Sequence, residues 1–257
     1  MQIIVGRSIQ NQIAAGPLRF YYRQPFPLAA VSHLTQDEEI HRFHVAQQRS
    51  IAALSRLYDE AARDVGIQAA SIFSIHAMLL EDTSFVESIL AVLSTQCTTA
   101  EYAVQTAGNR FASAFADMDS PYMQARGADI RDISNRLIRC LLDIQTPDPL
   151  GNTPAILVSD ELLPSEVLAL DRRKLLGLVT WHGSVDSHTA MLLQALKIPG
   201  LAQADIPPSW DGHPAILDGF SNCLYIDPEP EIFRQLGLRA PHNVTYQEKQ
   251  PMAVAMD

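Results

Sequence analysis

A nucleophilic side chain stands in the run Gly-Ser-Val-Asp-Ser-His-Thr at residues 183–189. Imidazole is a good nucleophile near neutral pH, so His188 could accept and donate a phosphoryl group. An apolar run at 175–179 predicts a buried strand before it, and the segment 190–196 predicts a helix after it. Ser187 is a suitable N-cap, and amides at a helix start can hold phosphate oxygens. The alternative is a structural histidine at an ordinary helix start.

The neighbours of His188 suggest supporting roles. Ser187 and Thr189 could cap the helix and orient the ring or the phosphoryl oxygens, or they could cap alone. Asp186 is a candidate acceptor for a ring N–H, and Gly183 gives the backbone room to turn. Elsewhere, the spacing His-x-x-His at 41–44 suits two ligands on one helical face. Without a third ligand nearby, we predict no metal site there.

Composition narrows the possible partners. The chain has 257 residues, 47% of them hydrophobic, and a net charge of −10 from 19 basic and 29 acidic residues. This net negative charge argues against nucleic acid or an anionic membrane as a binding partner, and it fits a partner with a basic contact surface. The chain has neither an apolar run of about 18 residues nor a signal peptide. The three cysteines predict reduced core residues, and we therefore expect a cytoplasmic location.

The hydrophobic pattern predicts two subdomains. Helical periodicity occupies most of residues 31–146, and short connections between the helices favour a bundle of antiparallel neighbours. Strand and helix patterns alternate over 147–230, and strands are predicted before the bundle, in residues 1–30. The predicted fold is therefore an α/β domain with an inserted all-α helical bundle. Residues 231–257 are polar and proline-punctuated, which predicts a linker or tail.

Individual elements follow from local signals. We predict strands at 2–7 and 18–22, with Ala14-Ala15-Gly16-Pro17 as their connection. Ser84 with Glu87, and Thr98 with Glu101, have the spacing of capping boxes. Helices are predicted at 36–65, 69–80 and 85–93, from 98 towards 115, after Pro121, and at 163–170 and 187–196. Further strands are predicted at 155–158, 175–180, 216–218 and 224–226.

Residues 183–200 resemble the phosphohistidine signature of enzyme I of the phosphoenolpyruvate:sugar phosphotransferase system. The Ser-His-Thr core, the preceding glycine and the trailing Ile-Pro are present, whereas Gln194 occupies the place of the family's arginine. Three further stretches, at 72–82, 128–137 and 157–165, resemble segments of the same family in the same order. This resemblance covers most of residues 1–230 and implies an α/β phosphohistidine subdomain of the swivelling type.

The resemblance also implies a reaction and a partner. His188 would be phosphorylated on Nε2 and would pass the group to a histidine of the carrier protein HPr, which the helical subdomain would dock. His76 would lie on an exposed docking surface, with core packing as its alternative role. The residues expected at this partner interface are His76, Met78, Leu79, Arg126 and Arg131, although surface ion pairs would also account for the two arginines.

In the enzyme I family, a C-terminal barrel domain binds phosphoenolpyruvate and Mg²⁺. A chain of 257 residues has no room for that barrel, so we expect a truncated or stand-alone N-terminal module without a cofactor of its own. Two alternatives remain open. One is a swivelling phosphohistidine domain of a pyruvate phosphate dikinase-like enzyme or phosphoenolpyruvate synthase, against which the helical insertion at 34–144 argues. The other is a non-catalytic docking or regulatory module of the same fold, which Gln194 favours.

Overall fold

The computed structural model describes residues 1–95, 97–145 and 148–238, which form a sheet-based part and a bundle of five helices. Elements are numbered in chain order. The bundle is inserted between the third and fourth strands of the sheet. This arrangement confirms the predicted fold, an α/β domain with an inserted all-α bundle. No helix of the described residues is long and apolar enough to cross a lipid bilayer.

The sheet has a parallel centre and antiparallel margins. Its strands run in the order β1-β8-β7-β3-β4-β5-β6-β2. Neighbours from β3 to β6 are parallel, and the remaining pairs are antiparallel. The central strand β4 is buried along its whole length, as expected for a parallel strand covered on both faces. The strands are β1 (Gln2–Val5), β2 (Arg7–Ser8), β3 (Ile13–Tyr21), β4 (Ala155–Ser159), β5 (Leu175–Thr180), β6 (Gly200–Ala202), β7 (Pro214–Asp218) and β8 (Cys223–Ile226).

The helical bundle is built from amphipathic helices with defined ends. Helix α1 begins with a capping box, in which the Thr35 hydroxyl accepts the Glu38 amide and the Glu38 carboxylate accepts the Thr35 amide. Phe43, Leu54 and Ala61 of α1 are buried, in agreement with the predicted apolar face. The bundle helices are α1 (Gln36–Val65), α2 (Ile67–Glu81), α3 (Thr83–Thr95), α4 (Ala100–Ala116) and α5 (Pro121–Leu142).

Three shorter helices belong to the sheet-based part: α6 (Pro164–Ala169), α7 (His188–Leu196) and α8 (Pro230–Gln235). Helix α7 packs against α6, and it also contacts α1 and α2 of the bundle. It therefore lies at the boundary between the two parts. Its first residue is His188, so the fold itself brings the candidate nucleophile to this boundary.

Several local predictions were wrong. Residues 14–17 are not a connection but belong to β3, where they pair with β7. Helix α3 begins at Thr83, and the Phe85 amide donates to Asp82, so Ser84 and Glu87 do not form its cap. The cap of α4 is Thr99 rather than Thr98. Strand β6 was not predicted.

The predicted tail and the cysteines also differ from expectation. Residues 230–235 form α8 and Phe233 is buried, so the first residues of the predicted tail are helical, and the limits 231–257 remain a prediction. Residues 239–257 lie outside the described residues. Cys97 is exposed, and Cys140 and Cys223 are half-buried, so the three cysteines are free but are not core residues. The limits 1–30, 31–146 and 147–230 remain predictions; the bundle helices occupy 36–142.

Candidate functional site

The turn before α7 gives His188 its position. Gly183 has a φ of +98°, a conformation that strains any residue with a Cβ, so a glycine is required there. The Ser187 hydroxyl accepts the Ala190 amide at 3.2 Å, which confirms Ser187 as the N-cap of α7. The next amides, at His188 and Thr189, have no acceptor within the helix because they lie in its first turn. The imidazole thus stands at the positive end of a helix.

Two side chains of the bundle reach the His188 ring. Asp129 of α5 places Oδ1 and Oδ2 at 3.1 and 3.0 Å from the ring Nδ1. Arg126, one turn earlier on α5, places Nη1 at 2.7 Å from Nε2 and 2.9 Å from Nδ1. Arg126 Nη1 also donates to Asp129 Oδ2 at 3.0 Å. The site is therefore a contact between the two parts of the fold.

The hydrogen-bond partners decide which ring nitrogen of His188 is free. A carboxylate only accepts hydrogen bonds, so Asp129 requires a proton on Nδ1. In the neutral ring with this tautomer Nε2 then keeps its lone pair, and the guanidinium of Arg126 lies close to both ring nitrogens. The arrangement prepares Nε2 as the nucleophilic atom.

Asp129 is held as a carboxylate. Burial alone would raise its pKa, but the hydrogen bond from His188 and the proximity of the His188 and His76 rings outweigh burial and lower the pKa to about 2. Its side chain is only 3% exposed, and that of His188 is 11% exposed. On the far side of Asp129, His76 Nε2 lies 3.4 Å from Oδ1. The carboxylate is thus shared by two imidazoles and one guanidinium.

Two residues that were predicted to support the His188 ring make other contacts. The Thr189 hydroxyl donates to the Leu162 carbonyl at 2.7 Å, so it ties α7 to the segment after β4 rather than orienting the ring. Asp186 is exposed, and its amide donates to the Ser184 hydroxyl. The ring N–H that Asp186 was expected to accept is directed at Asp129 instead. Proximity in sequence to His188 therefore does not identify its partner.

The predicted partner-binding residues separate into two groups. His76 is fully buried, so the expectation that it lies on an exposed docking surface is wrong; its ring packs between Asp129 and Asp132. Met78 is 70% exposed, and Leu79 is half-buried on the same helix, α2.

The two arginines of this predicted interface point to other groups. Arg131 is partly exposed and donates to Glu161 at 2.6 Å, across the boundary between bundle and sheet. Arg126 is directed at His188.

Sequence reasoning did not place Arg126 beside His188 and gave Asp129 no role, and the partner contact of Arg126 remains a prediction. Arg126 and Asp129 are three residues apart and hence share one face of α5, which is the local signal that was available. Nothing local shows that this face meets His188, since Asp129 and Arg126 lie 59 and 62 residues from it.

Gln194 has a structural contact. Its amide nitrogen donates to the Ile9 carbonyl at 2.9 Å, on the connection between β2 and β3. Where the family's signature has an arginine, this chain thus has a side chain that ties α7 to the sheet. Within the described ranges, no group of three or more His, Cys, Asp or Glu is arranged to hold a metal ion.

Two family models match the chain. One is described as "PEP-utilising enzyme, N-terminal" and matches residues 5–126; the other is "PEP-utilising enzyme, mobile domain" and matches residues 151–222. His188 falls in the mobile-domain match, and Arg126 is the last residue of the first match. Together the two matches cover most of the chain, on both sides of the site.

Curated relatives share this similarity. The chain is 30% identical over 220 residues to the phosphoenolpyruvate-protein phosphotransferase of Bacillus subtilis, covering 84% of this chain and 38% of that protein. It is 32% identical over 196 residues to the Haemophilus influenzae protein of the same name, covering 75% and 34%. The chain thus spans little more than a third of the length of these relatives.

Solved structures share the fold. An NMR structure of an enzyme I protein matches with a TM-score of 0.65 at 23% identity, covering 91% of this chain and 96% of that chain. The N-terminal domain of a protein described as "Enzyme 1 - Nitrogen" matches with a TM-score of 0.57 at 28% identity, covering 91% and 98%. The first likeness supports the fold alone, whereas the second also agrees with the sequence matches.

Proposed function

Because the chain belongs to the PEP-utilising enzymes, we propose that it carries a phosphoryl group on His188 and exchanges it with the carrier protein HPr. The observation that carries this proposal is the pairing of His188 Nδ1 with Asp129 at a helix N-terminus, which leaves Nε2 as the ring nitrogen without a carboxylate partner. In the exchange, the phosphorus–nitrogen bond of the carrier's phosphohistidine breaks as a bond from phosphorus to Nε2 forms. The carrier's nitrogen keeps the electron pair of the broken bond.

Arg126 is the group best placed to stabilise the transferred charge. Its Nη1 lies 2.7 Å from Nε2, so an incoming phosphoryl group would displace the guanidinium from the ring and present oxygens to it instead. Charge-assisted hydrogen bonds to phosphate oxygens are strong, and they stabilise the transition state if the donor is already in place. The unpaired amides at the start of α7 add further donors.

The site must open before it can react. The His188 side chain is 11% exposed, and the bundle residues Arg126 and Asp129 cover it. In-line attack requires access to Nε2 along the axis of the breaking bond. We therefore include in the proposal a movement of α7 away from α5, which exposes Nε2 to the carrier.

The outer surface of α2 is the proposed docking site for HPr. Met78 is 70% exposed and Ile75 is 37% exposed, with the half-buried Leu79 beside them. Exposed apolar side chains of this size are typical of contact surfaces. Residues 33–146 contain fifteen acidic and nine basic residues, which favours a partner with a basic face. Buried His76 supports the helix from beneath and does not take part in this surface.

For the full reaction we propose phosphoenolpyruvate as the first phosphoryl donor, as in phosphoenolpyruvate-protein phosphotransferases. The pocket for this small anion, and the Mg²⁺ that serves it, would belong to a C-terminal domain outside these residues. The chain itself would then be the N-terminal portion of such an enzyme in a cytoplasmic phosphotransferase system.

The test is transfer from phosphorylated HPr. The wild-type chain is mixed with phospho-HPr, and intact-mass spectrometry under neutral conditions counts the phosphate added to the chain. We expect one acid-labile phosphate on wild type and none on His188→Ala. His182→Ala is the matched control, because His182 lies in the same turn region, is exposed, and bonds to Asp160 rather than to the site.

Circular dichroism must show that both variants are folded. A folded His188→Ala chain that still gains phosphate at the wild-type rate would refute the proposal. Loss of labelling in His182→Ala as well would point to the turn rather than to the His188 ring.

A further inference from the structure

A second cavity lies away from His188, where the C-terminal half of α5 faces α1 and the start of α6. Its volume is about 190 Å³. This is below the several hundred Å³ that drug-sized ligands occupy, so it fits a small ligand. Its lining consists of Arg49, Ser50, Ala53, Arg136, Arg139, Cys140, Asp143, Ile144, Gln145 and Ser165.

Positive charge is concentrated in this cavity although the whole chain is acidic. Three of the chain's 19 basic residues, Arg49, Arg136 and Arg139, line it. The acidic side chains beside Arg49 and Arg139 form only long ion pairs with them. Asp143 lies 3.8 Å from Arg49 and is 87% exposed. Glu166 lies 3.8 Å from Arg139.

The carboxylate of Glu166 is already occupied. Arg23 donates to both of its oxygens, at 3.0 and 2.6 Å, so Arg139 interacts with a carboxylate whose charge is largely compensated. Asp132 attracts Arg136, but both of its oxygens accept hydrogen bonds from Ser165. With Arg23 included, four arginines face the three carboxylates Asp143, Glu166 and Asp132, so one positive charge is not neutralised.

Two groups at the cavity lack partners. Arg136 makes no ion pair or side-chain hydrogen bond to any residue that the structure describes. Burial lowers the pKa of Arg136, the nearby Arg139 lowers it further, and Asp132 opposes both. An arginine in such a setting remains protonated at neutral pH. Ser50 is 1% exposed, and its hydroxyl has no partner among the described residues.

A purely structural account covers only part of this cluster. Cations near a helix C-terminus are stabilised by the helix dipole, and this explains Arg139 in the last turn of α5. It does not explain why a half-buried guanidinium and a buried hydroxyl, on two different helices, stay unpaired at one cavity. Buried polar groups without partners are costly, and they call for a ligand that satisfies them.

We propose that this cavity binds a small oxyanion, either free phosphate or the phosphate group of a small monoester. Guanidinium groups form paired hydrogen bonds to phosphate oxygens, and a serine hydroxyl donates to a further oxygen. Buried Ser50 and half-buried Arg136 supply the inner part of the site, and Arg49, with a 61% exposed side chain, lies on its solvent side. The site is separate from His188 and does not depend on the proposed transfer reaction.

Calorimetric titration of the full chain with inorganic phosphate tests this proposal, with ionic strength held constant by sodium chloride. We expect saturable binding that Arg49→Gln weakens by about tenfold, as the loss of one charge-assisted hydrogen bond implies. Arg56→Gln is the matched control: it removes the same charge from an exposed position on the same helix, and we expect an unchanged Kd.

Ser50→Ala provides an independent variant. Without phosphate, removal of an unsatisfied buried hydroxyl should leave the chain as stable as wild type or more so. With phosphate, the same variant should bind more weakly and should gain less in Tm. Glycerol phosphate, titrated in parallel, distinguishes the sources: tighter binding than free phosphate favours a monoester as the natural ligand, and weaker binding favours phosphate itself.

Phosphate could instead bind beside His188 and Arg126. Amide chemical shifts measured during the titration, in wild type and in His188→Ala, locate the ligand. Shifts at residues 49–50 and 136–145 that persist in His188→Ala support the proposal. Absence of saturable binding, equal Kd values for Arg49→Gln and Arg56→Gln, or shifts confined to residues 183–190 would each overturn it.

Discussion

Asp129 determines how the His188 ring can react. It is fully buried beneath the ring, accepts from Nδ1, and is itself held by Arg126 and approached by His76. A carboxylate in this position keeps the ring oriented and stabilises positive charge that develops on it during transfer. The residue therefore links the ionic state of the site to the stability of the fold.

The lowered pKa of Asp129 predicts a stability change in acid. Its pKa falls from 3.8 to about 2 in the folded chain, so the folded state favours the carboxylate. The contribution, about 2 kcal/mol, is present above pH 4 and is lost as the pH falls from about 4 towards 2. Urea unfolding of wild type and Asp129→Asn should differ by about this free energy at pH 6, and by progressively less at pH 4 and 3. A difference that does not depend on pH would contradict this assignment.

Arg126 should matter for the rate of transfer more than for docking. Removing one preorganised donor to a developing charge slows catalysis by about a hundredfold. We expect Arg126→Gln to slow uptake of phosphate from phospho-HPr by that factor, with little change in the Kd for unphosphorylated HPr. Arg131→Gln is the control, since Arg131 pairs with Glu161 at the subdomain boundary. Equal rate losses in both variants would argue against a direct role for Arg126. Rapid-quench kinetics and NMR titration measure the two quantities.

The sequence was sufficient to place the candidate nucleophile at the start of a helix, but not to identify its hydrogen-bond partners. A strand, a glycine turn and a serine cap are local signals, and they correctly placed His188 at the start of α7. Asp129 comes from a helix far away in the chain, and only the packing of α5 against α7 brings the two together. Asp186, which is close in sequence, could not be excluded by any local rule.

For helix α2, the sequence predicts the helix but not which of its sides is buried. Its sequence is apolar around much of its circumference, so periodicity predicts a helix over 69–80 but not which side is covered. The structure buries Ile72, Phe73 and His76, and leaves Met78 and Ile75 exposed. The exposed residues were therefore separable from the buried ones only once α1 and α5 were in place.

The exposed surface of α2 predicts a docking defect. Met78→Ala removes one of its two most exposed large side chains and should weaken HPr binding by about tenfold, as is common for an apolar contact residue at an interface. Phe220→Ala is the control, because Phe220 is 65% exposed but lies on the β7–β8 connection of the other subdomain. NMR titrations of each variant with HPr measure both Kd values. Weakening by Phe220→Ala alone would move the docking site to the sheet.

Strand β3 explains one failed prediction in physical terms. The pair Gly16-Pro17 suggests a turn, yet both residues lie within a nine-residue strand. A Cβ at Gly16 would lie 2.4 Å from Leu176 Cδ1. The glycine therefore makes room for a side chain of β5 and does not form a turn. Pro17 faces Pro214 at the last register position of β3 with β7, where a missing N–H interrupts little.

The molecule as a whole places the candidate site between a sheet-based part and a helical bundle. His188 belongs to the sheet-based part, and its covering residues Arg126 and Asp129 belong to the bundle. The division into two subdomains was predictable because helical and strand periodicities differ over long segments. Their relative placement was not, since it depends on contacts such as Arg131–Glu161 between distant segments.

This division predicts which donors residues 1–257 can use. We expect reversible phosphate exchange with phospho-HPr, because the nucleophile and the proposed docking surface are both present. We expect no labelling from phosphoenolpyruvate with Mg²⁺, because that step requires carboxylate ligands and a cationic pocket beside the substrate. Two parallel incubations followed by intact-mass spectrometry measure this. Rapid labelling of His188 from phosphoenolpyruvate would mean that these residues contain a complete donor site.

The order of the strands has a consequence for synthesis on the ribosome. Strand β1 pairs with β8, whose residues lie more than 200 positions later, and β3 pairs with β4 only after the whole bundle has been made. The bundle has mainly local contacts and can fold as it emerges, whereas distant pairings form slowly. Strands β1 and β3 are therefore paired late although they are made before the bundle, and the buried side chain of Leu18 in β3 stays uncovered until β4 and β7 have been made.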